Sequence, residues 1–183
     1  MELTIQKIQM AVEKAFDILT ECCPSFVKPK FETIKICNRA SAWAYVRKKN
    51  GKFYLNVSKL FETMTDEDKF NVRLVGTMIH EIIHTQNGCF DHKSGFKRLA
   101  SQVNTVYPQY EIQRCNSSKD WGANKYSMNK NVWTLKCNMC GKEYNWLRKP
   151  KYLEVYIDHG SHGNCKGKGF TLITCPPSYN KCR

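Results

Sequence analysis

No stretch of this chain stays apolar for anything near the roughly 20 residues that a membrane-crossing helix needs. The opening Met1-Glu2-Leu3-Thr4 also lacks the basic head, long apolar stretch and small-residue cleavage site of an export signal. A soluble intracellular protein is therefore expected. There is no internal repeat. Acidic residues are scarce in the second half, where residues 97–183 hold 15 basic against 5 acidic side chains, a net +10, while residues 1–96 carry only +3. Histidine is scarce throughout, with five in 183 residues. Apolar and aromatic residues are not scarce: at 42% and 12% they exclude wholesale disorder.

The length suits one globular domain with a small appended module. Its basic second half favours a polyanionic partner, most often nucleic acid. The plainer alternative is a solvated basic face that only aids solubility. Ten cysteines would suit a disulfide framework in a secreted protein, but without an export signal clustered cysteines point to metal.

Helical spacing of Ile5, Ile8, Val12, Phe16 and Leu19 predicts an amphipathic helix over residues 3–19, stopped near Pro24. Residues 31–36, 43–46 and 53–57 read as short strands, the last two joined at the tight-turn pair Asn50-Gly51. A small antiparallel sheet is expected. Thr65, followed by three acidic residues, reads as the cap of a second helix running to Gln86, with Asn87-Gly88 ending it. A third helix is expected over residues 95–105. Residues 116–131, rich in Asn, Ser and Lys, read as a polar linker, and 132–183 as a small module of different character.

His80-Glu81-Ile82-Ile83-His84 is an H-E-x-x-H motif within the second predicted helix. Four-residue spacing sets both imidazoles on one helix face, where they can share a zinc ion. Glu81 can then act as general base toward a water at the metal, the chemistry of peptide hydrolysis. A third ligand is required, and His92 follows after the chain can turn at Asn87-Gly88. Three of the five histidines thus fall within thirteen positions in ligand order. A lone histidine would more often be an ordinary core or surface residue; three so spaced favour metal.

A second set begins at Cys137-Asn138-Met139-Cys140-Gly141, a C-x-x-C-G knuckle. His162-Gly163-Asn164-Cys165, with the same two-residue gap, lies 25 residues beyond Cys137. Cys137, Cys140, His162 and Cys165 form the expected structural zinc site, with His159 as rival for the third position and Cys175 for the fourth. A redox-active pair is the competing reading, but the strand–helix–strand setting for one is missing. Cys22, Cys23, Cys37, Cys89, Cys115 and Cys182 show no ligand spacing and read as core or free thiols.

Between the two pairs, Tyr144, Trp146, Arg148, Lys149, Lys151 and Tyr152 alternate rings with cations. Rings can stack on exposed bases while cations meet phosphates, which suits single-stranded or distorted DNA. Trp121, Lys125 and Tyr126 are candidates to extend this surface. Some of these rings are also needed as the module's own core.

With these pieces in this order, the chain resembles the SprT-like family of zinc metalloproteases, to which the DNA–protein crosslink protease Spartan belongs. The resemblance rests on the N-terminal helix, the strand Phe53-Tyr54-Leu55-Asn56-Val57, His80-Glu81-x-x-His84, the run His92-Lys93-Ser94-Gly95-Phe96 and the trailing cysteine module. It implies an α+β chain: a zincin-like catalytic domain over 1–115, a linker over 116–131, and a zinc ribbon that binds nucleic acid over 132–183. It implies zinc at both sites, one catalytic on His80, His84 and His92 with Glu81 as base, one structural. The implied activity is DNA-dependent cleavage of proteins trapped on DNA, by a monomer at work on DNA inside the cell, a form of DNA repair. Seven residues between His84 and His92 separate the chain from the metzincin pattern, and His162 stands where many ribbons carry Cys. The alternative is a non-enzymatic, zinc-containing nucleic-acid-binding accessory protein, in which an intact Glu81 would have no purpose.

Overall fold

A computed structural model describes residues 1–39, 41–114, 121–124, 128, 132–146 and 148–176. The chain is α+β and divides into two compact units, Met1–Lys125 and Tyr126–Arg183.

In the first unit, helix α1 spans Ile5–Cys22. The Thr4 side chain caps it by accepting from the Lys7 amide, and Ile8, Val12, Phe16 and Leu19 form its buried stripe. Strands β1 (Phe31–Cys37), β2 (Ala44–Lys49) and β3 (Lys52–Ser58) follow. Asn50 and Gly51 both take positive φ, 51° and 74°, the turn whose twist suits a two-residue hairpin between β2 and β3. The sheet is mixed and not antiparallel as expected: its order is β1-β3-β2, with β1 parallel to β3. Leu55 and Val57 of β3 are fully buried, so β3 takes the centre and β1 docks on the edge that the hairpin leaves open. That arrangement makes β2 an outer strand, which matters for the site.

Helix α2 covers Glu67–Ile83. Its cap is Asp66, whose side chain accepts from the Lys69 amide, one residue later than the expected Thr65. Carboxylates at Asp66, Glu67 and Asp68 suit the positive end of the helix dipole. The helix ends at Ile83 with His84 as its C-cap, a turn earlier than the periodicity suggested. Helix α3 covers Ser94–Val106, and a 3-10 turn follows at Pro108–Tyr110. That turn packs against α2 at Gly76, where a Cβ would lie 2.9 Å from the Tyr110 carbonyl oxygen. Trp121, Ala123 and Asn124, from the stretch read as linker, pack on the first unit: Arg73 sits 5.2 Å from the Trp121 ring, and the Asn124 amide donates to Thr63 Oγ1.

The second unit is a three-stranded antiparallel sheet, β4 (Trp133–Cys137), β5 (Glu143–Trp146) and β6 (Phe170–Thr174), in the order β5-β4-β6, with a short helix α4 at Leu153–His159. Its core is Trp133, Leu135, Cys137, Leu153 and Phe170. Among the described residues no helix is long and apolar enough to cross a membrane.

Candidate metal centres

The end of α2 and the loop after it build the first centre. His80 and His84 stand one helical turn apart, and the loop returns His92 to the same point. The three Nε2 atoms form a triangle with every edge 3.1 Å. Protons cannot satisfy three converging imidazole nitrogens at once, since each neutral ring has only one N–H to give. A tetrahedral zinc with bonds of about 2.0–2.1 Å needs nitrogens roughly 3.3 Å apart, so the donor set fits such an ion.

The rings are oriented from behind. His84 Nδ1 donates to the Cys89 carbonyl oxygen at 2.8 Å, which leaves its Nε2 as a lone pair. His80 makes a backbone hydrogen bond to Gln113. Phe96, 2% exposed, packs on all three imidazoles with centroid distances of 4.8, 4.8 and 4.7 Å. The loop that carries His92 closes because Gly95 lets backbone meet backbone; a Cβ there would lie 2.7 Å from the Gly88 carbonyl oxygen. Burial, then the neighbouring His84 and His92, holds His80 down to about 3. Burial is also the main cause lowering His84 and His92, so the triad is neutral and ready to ligate.

Glu81, next to His80 in the chain, is 6% exposed and lines the same cleft as His80. Its Oε2 accepts from the Val46 amide of β2 at 2.9 Å, on the side of that strand that faces away from β3. Burial pushes its carboxyl up to about 7, opposed by that hydrogen bond, which is the range a general base needs near neutral pH. Two cavities flank the triad. A cleft of about 200 Å³ is lined by Trp43, Arg73, Thr77, His80, Glu81 and Arg114 among others. A groove of about 420 Å³ runs along His92, Phe96, Ala100, Asn104, Ile112 and Arg114.

In the second centre, the ligand atoms of Cys137, Cys140, His162 and Cys165 lie within 4.8 Å of one another. Cys137 ends β4, and Gly141 at φ 74° turns the chain back. The Cys140 amide is the main cause lowering the Cys137 thiol to about 6, helped by Met139, whose amide lies 3.4 Å from the sulfur. His162 Nε2 sits 3.4 Å from Cys140 Sγ, and His162 pairs with Cys165 in an isolated bridge. Three thiols and one imidazole are a structural zinc donor set. His159 ends α4 outside this group. Cys175 is disulfide-bonded, which removes it as a rival for the fourth ligand position. Cys22, Cys23, Cys37 and Cys89 are free thiols, and Cys115 and Cys182 lie outside the described residues.

The run of rings and cations divides in two. Tyr144 and Trp146 are half-buried against the core of the second unit, with the Tyr144 ring 5.1 Å from His162. Arg148, Lys149, Lys151 and Tyr152 are exposed, with Lys151 Nζ 5.1 Å from the Tyr152 ring centre. Lys125 and Tyr126 lie outside the described residues. Sequence reasoning missed the Phe96 platform, the Cys89 and Gln113 contacts and the Val46 amide; only Phe96, four residues beyond His92, left a signal.

No protein-family model, curated protein or solved structure matches the chain.

Proposed function

We propose that the protein is a zinc-dependent endopeptidase resembling the SprT-like proteases, acting on proteins bound or crosslinked to DNA. The observation that carries this reading is the Nε2 triangle of His80, His84 and His92 beside a buried Glu81. In this reading the first unit is zincin-like and the second a zinc ribbon held by Cys137, Cys140, His162 and Cys165. The catalytic zinc supplies a Lewis acid that polarises a carbonyl and makes water a nucleophile at neutral pH. Glu81 takes the proton from the attacking water and returns it to the departing amine nitrogen as the C–N bond breaks. Val46 holds that carboxylate in place, and Phe96 keeps the three imidazoles from rotating. A site meant only to hold structure would be closed by four protein ligands and would need no base.

DNA supplies the address. A net +10 over residues 97–183 gives salt-sensitive, sequence-independent affinity for phosphates, and the exposed Tyr152, Arg148 and Lys151 offer stacking and charge. Colocalisation then raises the effective concentration of DNA-bound substrates. The test has two arms. Zinc content should be two per chain, falling to one in His84→Ala. A protein crosslinked to a single-stranded oligonucleotide should be cut by wild type and left intact by Glu81→Gln. Cleavage surviving Glu81→Gln removes the assigned base, and a wild type holding one zinc that His84→Ala leaves unchanged returns the chain to the accessory-protein alternative.

A further inference from the structure

Arg114 occupies the one place that both cavities share. The cleft beside His80 and Glu81 and the groove beside His92 are each lined by Gln113 and Arg114, so this segment stands between them at the triad. Its backbone is fixed from behind. Asn104 Oδ1 accepts from the Ile112 amide and Asn104 Nδ2 donates to the Ile112 carbonyl oxygen, both at 2.8 Å, so α3 clamps the chain two residues earlier. The Tyr110 carbonyl rests on Gly76 of α2, and His80 bonds to the Gln113 backbone. Arg114 is itself exposed, so an anchored backbone presents a side chain that a peptide can reach.

The guanidinium itself is uncommitted. Among the described residues it makes no hydrogen bond and no ion pair, yet its charge reaches His92. The cleft beside it wants an acceptor as well: Trp43 Nε1 and Thr77 Oγ1 are buried there with no hydrogen-bond partner. Trp43 Nε1 can only donate, and Thr77 stands one helical turn before Glu81.

Resting on the protease reading, we propose that Arg114 binds the carbonyl oxygen of the scissile peptide bond and carries its negative charge as water adds. The peptide would lie from the cleft to the groove across Arg114. Water oxygen bonds to the carbonyl carbon, its proton passes to Glu81, and the C=O electron pair moves onto the oxygen beside the guanidinium. Collapse restores the C=O bond, breaks the C–N bond and delivers the Glu81 proton to the amine. An arginine serves here because it cannot be neutralised and donates several hydrogen bonds from a fixed plane.

The test uses the zinc-loaded full chain and an internally quenched peptide conjugated to a single-stranded oligonucleotide. Arg114→Ala and the longer, uncharged Arg114→Met should retain two zincs while kcat falls about 10²–10³-fold and KM moves less than about threefold. Arg114→Lys should recover about tenfold of the loss. A phosphonamidate version of the same peptide, whose tetrahedral oxygens mimic the oxyanion, should lose affinity in proportion to kcat/KM. A kcat within about threefold of wild type in both uncharged variants, or a rise in KM alone, overturns the assignment and leaves the protease reading intact. A wild type that cuts nothing overturns the protease reading, and this assignment with it.

Discussion

At the scale of single residues, the two groups of possible metal ligands were legible and what supports them was not. The four-residue spacing sets His80 and His84 on one helix face, and His92 joins them as a third possible metal ligand once the chain turns at Gly88. What steadies them is carried by a carbonyl, an amide and a ring at positions whose sequence says nothing of that use. Cys89 contributes its backbone oxygen and not its thiol, a role any residue type could fill. Phe96 looks like one more apolar position on a helix face. Its truncation should nonetheless be costly. Phe96→Ala removes a fully buried ring, expected to cost about 3–5 kcal/mol on thermal or denaturant unfolding. It should also weaken zinc at the triad by about 10–100-fold in a competitive chelator titration, as losing an orienting contact does. Gly76→Ala acts without touching the site. The added methyl meets the Tyr110 carbonyl at 2.9 Å, so it should destabilise the first unit by about 1–3 kcal/mol despite alanine's better helix propensity.

At the scale of elements, sequence pattern found the three α-helices described in the first unit and each strand of its sheet, and missed its 3-10 turns and how the strands pair. Alternation along a strand reports which face is buried, not which neighbour it takes. The turn at Asn50-Gly51 settled the hairpin, but the partner of β1 was decided by the burial of Leu55 and Val57, a tertiary matter. Element ends shifted for similar reasons. Asp66 outcompetes Thr65 because its carboxylate reaches the Lys69 amide, and α2 stops at Ile83, where His84 turns its ring toward the Cys89 carbonyl. The loop between α2 and α3 is therefore a structural element in its own right. Gly95→Ala should displace it, since its Cβ has no room beside Gly88 and Cys89. Zinc bound at the triad should fall while the second centre stays loaded, giving one zinc per chain by elemental analysis; two tightly held zincs would mean the loop yields without moving His92.

At the scale of the whole chain, the change of composition marked two parts, and the polar stretch between them hid where the first one ends. Trp121 and Ala123 belong with the first unit, where Arg73 lies over the Trp121 ring and Ala123 is buried, which no local pattern announces. The units depend on metal to different degrees. Among the described residues the second has a small core of five buried hydrophobic residues with partly buried ones packed on it, so metal ligation should supply much of its folding energy. Adding a strong chelator to the full chain should make the second unit sensitive to limited proteolysis, while α1, α2 and the first sheet remain protected. Affinity for a single-stranded oligonucleotide should fall at least about tenfold between 50 and 200 mM salt, as several phosphate contacts require. Binding indifferent to salt would mean that the basic half serves some other end.

The hydrogen bond from Val46 to Glu81 has a second consequence. β2 ends its sheet, and an outer strand with free amides is a template on which another chain can add. Glu81 occupies one of those amides, so its carboxylate also acts as a plug against strand addition. A Glu81→Ala variant would free the Val46 amide and invite self-association, whereas Glu81→Gln keeps an oxygen on it. Light scattering of the two variants at equal concentration should separate them, with only the alanine form growing in size.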